Sequence, residues 1–204
     1  MGVYDFVVGI VVGIVLACLN YVVQTSRTPP VRASYSGEVA ESTVRRPRAD
    51  RRYLHQVRRQ IWVQKLSGYL FFGTIVAVEG GIRALIQDET FKKQPISFIV
   101  VDFSHVTGLD FSAAEGFQRI NRILCRKNVR LLLSGVSFAN PVGKSLDMVG
   151  LLDAEKGDTE CPPPRVFEDL NMALESCENE LLDSFYKHRS RLGRKKTPPM
   201  SICK

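Results

Sequence analysis

Hydrophobic and polar residues follow different periods in different parts of the chain. Residues 6–23, FVVGIVVGIVLACLNYVV, carry no charge and present no polar face. The run reaches the lower limit of bilayer-spanning length and predicts a transmembrane helix over 1–24. A secretory signal fits poorly, because Asp5 rather than Lys or Arg precedes the run and no small-residue cleavage pattern follows it. Gly9 and Gly13 have the GxxxG spacing that lets a second helix approach closely, and Asn20 inside the run suits a helix that packs.

Farther on, the period switches between two and 3.6. A short helix or turn is predicted over 53–60, then an alternating strand over 61–66 broken by Gly68. Thr74 caps a helix running to about Gln87, with Ile75, Val78, Ile82, Leu85 and Ile86 as its buried stripe. Gly80-Gly81 weakens that helix or allows close packing. Residues 96–101, ISFIVV, read as a strand buried on both faces. The chain then turns through Gly108, Leu109, Asp110 and Phe111 into a helix, where Ser112 and Glu115 have the spacing of a capping box. Phe117, Ile120, Ile123 and Leu124 share its apolar face, while Arg119, Arg122 and Arg126 point away. A buried strand is predicted over 129–133 and a helix over 141–149 with Pro141 in its first turn. A polar loop over 150–164 carries a short strand near 158–161. The final helix covers 165–188, with Phe167, Leu170, Leu174, Leu181 and Leu182 inward, and a disordered basic tail occupies 189–204. Strands alternating with helices imply an α/β domain with a mainly parallel sheet, placed at 53–188.

The 204 residues carry a net charge of +7, which suits an anionic partner. Much of the excess lies in 25–52, read as a basic juxtamembrane linker broken at Pro29-Pro30. Arginines after the apolar run place the following domain in the cytosol of a plasma or vacuolar membrane. Arg45, Arg46, Arg48, Arg51 and Arg52 are expected to face lipid, where each basic residue near an anionic surface contributes about 1 kcal/mol. Nucleic acid is a poorer partner, since no binding motif accompanies these arginines. The cysteines at 18, 125, 161, 177 and 203 show no CxxC or paired histidine spacing, so neither a disulfide framework nor a metal site is expected.

No phosphate loop, HExxH or G-x-S-x-G elbow is present. His105, Asp110 and Ser112 lie close in sequence, but a nucleophilic triad requires the His within hydrogen-bond reach of the Ser. With Ser112 assigned to capping, no enzyme activity and no cofactor is expected. Asp110, Phe111, Ser112 and Glu115 are instead read as a regulatory or docking loop at a strand end.

These residues carry a resemblance. VVDFSHVTGLDFSAAEGFQRI at 100–120 resembles the central motif of STAS domains. QTSR at 24–27, STVRR at 42–46 and LSGYLFFGTIVAVEGGIRALI at 66–86 resemble the fungal subgroup of SulP (sulphate permease) anion transporters. The resemblance implies a small mixed, mainly parallel sheet with helices mostly on one side, preceded by the last membrane helix of such a transporter. It implies a regulatory or structural role, with the transporter membrane domain or other SulP helices as partners, or a second copy in a homodimer. Bacterial STAS antagonists of anti-sigma factors have D-S-S-G here, with the Ser after the Asp as phosphoacceptor. The match places Asp110 on that Asp and Phe111 on the acceptor, leaving Ser112 as the adjacent hydroxyl. Some STAS domains bind nucleotides, although no glycine-rich cradle stands here. The alternative is a stand-alone, membrane-anchored binding module or phospho-switch.

Overall fold

The computed structural model describes residues 2–27, 29–87, 89–153 and 161–194. Helix α1 (Gly2–Arg27) comes first, and its stretch Phe6–Gln24 has a mean hydropathy of 2.6 with none of it buried. It is the one helix among the described residues long and apolar enough to cross a membrane. A Cβ added at Gly9 or Gly13 would meet nothing within 4 Å, so the GxxxG stripe is open to another helix.

The rest is built on β3 (Phe98–Leu109), whose residues 98–103 are all buried. Phe98 and Val100 enter one core, and Ile99, Val101 and Phe103 the other, because successive side chains point to opposite faces. Strands β2 (Ile61–Leu70) and β4 (Arg130–Ser134) flank β3 in parallel, and β5 (Arg165–Phe167) lies parallel to β4. Strand β1 (Val31–Ser36) runs antiparallel to β2, so the spatial order equals the chain order, β1-β2-β3-β4-β5. Each parallel crossover therefore steps one strand in the same direction. A common handedness sends α3 (Phe72–Gln87), α5 (Phe111–Arg126) and α6 (Pro141–Met148) to the same face. The opposite face is left to α2 (Arg48–Val57) and α7 (Leu170–Arg194), which bury Leu54, Ala173, Leu174 and Cys177. Helices thus cover both faces, where the resemblance implied mostly one.

On the first face Phe103 and Phe117 meet edge to face with ring centres 5.0 Å apart. The α3–α5 contact depends on Gly116, whose added Cβ would lie 2.3 Å from Ile75 Cγ1. Gly80, expected to permit close packing, faces open space.

Several boundaries differ from the sequence reading. Strand β2 continues through Gly68, at φ +80°, with irregular register, and β3 continues to Leu109 rather than 101. Arg165–Phe167 is a strand and not the start of the last helix, since β4 otherwise leaves an unpaired edge. Helix α7 runs to Arg194, so the tail expected from 189 is helical over its first residues. The residues 154–160 and 195–204, including most of the short strand expected near 158–161, lie outside those described. A short helix, α4 (Glu89–Lys93), precedes β3.

The segment 25–52 is not a free linker. Strand β1 pairs with β2, and residues 37–47 are clasped onto α7 through Glu178, whose side chain is 1% exposed. Its carboxylate accepts from Ser42 Oγ at 2.5 Å and Ser42 N at 3.3 Å. Arg46 Nε and Arg58 Nη2 each pair with it at 3.1 Å. Asn171 accepts from Thr43 N at 2.8 Å. Arg46 is therefore an internal partner of Glu178 and not lipid-facing, whereas Arg45, Arg48, Arg51 and Arg52 are exposed. Tyr53 stacks on Phe185 at 4.3 Å, and Tyr186 donates to Asp50, closing the same seam. Replacing Glu178 by Ala leaves two arginines without their shared anion. Chemical denaturation is expected to report a loss of about 3–5 kcal/mol, far beyond that of Glu38→Ala at the exposed Arg59 pair.

Candidate docking site at the strand ends

Leu70 and Leu109 are register partners at the C-terminal ends of β2 and β3, and a helix starts directly after each. Asp110 N donates to Leu70 O at 3.0 Å, which fixes the two strand ends together. Asp110 has extended backbone angles, φ −81° and ψ 167°, and is the N-cap of α5. Its Oδ1 accepts from Ala113 N at 2.6 Å, and its Oδ2 accepts from Phe72 N at 3.3 Å, in the first turn of α3. One carboxylate therefore serves the free N–H groups of two helices, whose positive dipole ends both favour it. Thr74 acts at the same place: its Oγ1 accepts from Phe71 N at 2.8 Å and donates to Phe71 O at 2.9 Å. Helix α6 joins through Ser145 Oγ, which donates to Leu109 O at 3.0 Å.

This geometry corrects the capping assignment. Ser112 is the second residue of α5, exposed, and Glu115 is exposed a turn farther on. With Asp110 as cap, the position that would complete a capping box is Ala113, whose methyl group cannot accept a hydrogen bond. The error came from reading Asp110 as part of the turn, although Asp ranks with Ser as an N-cap. Asp110, Phe111, Ser112 and Glu115 do lie together at one helix start. Phe111 is 57% exposed and Phe72, opposite it on α3, is 69% exposed. His105 is exposed on β3, and among the described residues no hydrogen bond links it to Ser112 or Asp110.

A second carboxylate lies deeper at this end. Asp102 is 2% exposed and accepts from Ser104 N at 3.1 Å, Ser104 Oγ at 2.5 Å and Ser134 Oγ at 3.3 Å. Sequence reading missed it; a lone acid ending an apolar strand was the available signal. A cleft lined by residues of α5 and α7 places Arg130 and Arg165 together, but both pair with Glu180. In the core beneath α7, burial, helped by the Glu180 carboxylate, pushes the Cys177 thiol up to about 12. That thiol is a packing group without nucleophilic character at neutral pH.

The arrangement is an α/β domain with paired helix starts, carried behind a membrane-length helix. The STAS domain family matches residues 54–171, more than half of the sequence, and the chain belongs to that family. It is 37% identical over 195 residues to the vacuolar basic amino acid transporter VSB1 of Saccharomyces cerevisiae. That match covers 94% of this chain and 18% of the relative's length. Among solved structures, a sulfate transporter family protein from Wolinella succinogenes has 19% identity and a TM-score of 0.45, covering 61% of this chain and 88% of that one. The STAS domain of a SulP transporter from Vibrio cholerae has 17% identity and a TM-score of 0.46, covering 61% of this chain and 86% of its own. The curated relative is thus named as a transporter, and this chain spans less than a fifth of its length.

Asp110→Ala is expected to lower stability by about 1–2 kcal/mol, because two helix starts lose one acceptor. Asp110→Asn should lose less, and Ser112→Ala should stay within about 0.5 kcal/mol of the parent. Urea denaturation of the three variants reads all of these values.

Proposed function

We propose that this chain is the membrane-anchored, cytosolic STAS module of a SulP-type transporter. It would serve the folding, docking and regulation of the transport unit without carrying solute by itself. The observation that supports this most is the 37% identity to a vacuolar transporter across 94% of the chain. Helix α1 supplies one span with an open small-residue stripe. Transporters of this class bind solute near the bilayer midplane between repeats of several helices, which a single span cannot enclose. Arg27 and Arg32 follow the apolar span Phe6–Gln24 and favour a cytosolic domain. For the cargo of the whole assembly, the relative's name favours basic amino acids over sulphate-like anions.

In yeast, this chain would replace the corresponding segment of the relative, and vacuolar uptake of a basic amino acid would be measured. The chimera is expected to keep most of the uptake that deletion of the segment abolishes. Uptake no better than the deletion would sink the proposal.

The exposure of Ser112 favours a second reading, a phospho-switch in which added charge controls docking. Phosphate near a helix N-terminus is electrostatically favourable, although the Asp110 carboxylate already occupies these N–H groups. In the same chimera, Ser112→Asp is expected to change uptake at least several-fold if this loop is a switch. Uptake equal to that of Ser112→Ala would leave only the scaffold role.

A further inference from the structure

Strand β1 fixes which end of the domain faces the membrane. Val31 follows Arg27 by four residue steps, so it stays within roughly 14 Å of the end of α1. It pairs with Leu66, and Ser67 N donates to Pro30 O at 2.9 Å. Strand β1 therefore carries the chain away from the membrane, and β2, antiparallel to it, brings the chain back. From Ser67, β2 continues to Leu70, a further ~10 Å in the returning direction. The C-terminal ends of β2, β3 and β4, and the starts of α3, α5 and α6, then lie at the bilayer end of the domain.

The exposed aromatics are concentrated at that end. Tyr69 is 52% exposed, Phe72 69%, Phe111 57% and Phe138 64%. Outside α1, these three phenylalanines are the only exposed ones among the described residues. Tyr69 lies over Gly108, and Phe72 and Phe111 begin the two helices joined by Asp110. Val76, one turn beyond Phe72, is 64% exposed and extends the patch. At the far end, Trp62 pairs with Ser36, eight residues and about 26 Å along β2 from Leu70.

Resting on the membrane-anchored reading above, we infer that Tyr69, Phe72, Phe111 and Phe138 seat this end of the domain in the lipid–water interface around α1. Three features select lipid as the occupant. The short tether keeps the patch beside the bilayer that holds α1. Phenyl and phenol rings on a solvent-facing end suit a surface that is apolar on one side and wet on the other. Asp110, the acid at the centre of the patch, is held by N–H groups of both helices, so its charge is compensated where the rings enter.

The full chain, which has Trp62 as its single tryptophan, would be reconstituted in phosphatidylcholine liposomes with brominated acyl chains. Phe72→Trp and Phe111→Trp, made separately, each add a reporter at the proposed contact, while Trp62 reports the far end. Circular dichroism checks that each variant keeps the parent fold. The added emission is expected to be blue-shifted and mostly lost in brominated lipid, with Trp62 emission unchanged. Added tryptophans that stay bright in chain that floats with the liposomes would overturn the inference and leave the anchor intact. Stronger loss at Trp62 than at the added sites would overturn it by reversing the polarity. A blue shift that disappears on dilution to one chain per vesicle would assign the patch to a second copy and overturn it. Chain that fails to float would remove the anchored reading and this inference together.

Discussion

A sheet whose strands follow one another in chain order must receive all its crossover helices on one face. That constraint governs the rest of the structure. Residues 98–103 of β3 are buried on both sides, so the second face needs cover that no crossover can provide. The chain supplies it from either end, with α2 ahead of β2 and α7 after β5. These elements are remote in sequence, and their apolar contact alone fixes neither their register nor their angle. Glu178 does so by gathering Ser42, Arg46 and Arg58 onto one buried carboxylate. Arg46 Nη2 and Arg58 Nε are left buried without hydrogen-bond partners, so the clasp specifies geometry at some cost in desolvation.

The same device, one acid shared by two elements, recurs on the other face of the sheet. Asp110 ties α3 to α5 where β2 and β3 end. With Asp110 held by donors from both helices, the surrounding aromatic side chains face outward at the end of the sheet nearer the four-step link to α1. Fold and exposed aromatic surface are therefore linked at Asp110, which joins the two helix starts that present the rings.

Much of this architecture was legible in the sequence. The central strand, the stripes of α3 and α5, Pro141 opening α6 and the apolar α1 follow from local periodicity and need only adjacent residues. Family membership was legible for the same reason, since its motif is a contiguous strand–turn–helix. The capping of α5 was misread by two residues, because Asp110 and Ser112 are both competent caps and only backbone angles select between them. Strand β5 was taken for helix because three residues have no resolvable period, and β1 was taken for linker because VRASYS is too polar to announce burial. Glu178 could have been noticed as a charge interrupting the apolar face of α7.

By itself, the sequence determined the elements whose cause is local: which stretches are apolar, with what period, and where a cap or proline starts a helix. Tertiary structure alone decided which remote groups share one acid, that the basic stretch belongs to the domain, and which end of the sheet lies nearer α1. Those outcomes depend on pairings across 132 residues, as between Arg46 and Glu178, or on the register of β1 against β2. Neither leaves a periodic trace in the chain, because hydrogen bonds and ion pairs are fixed by distance in space and not by spacing in sequence.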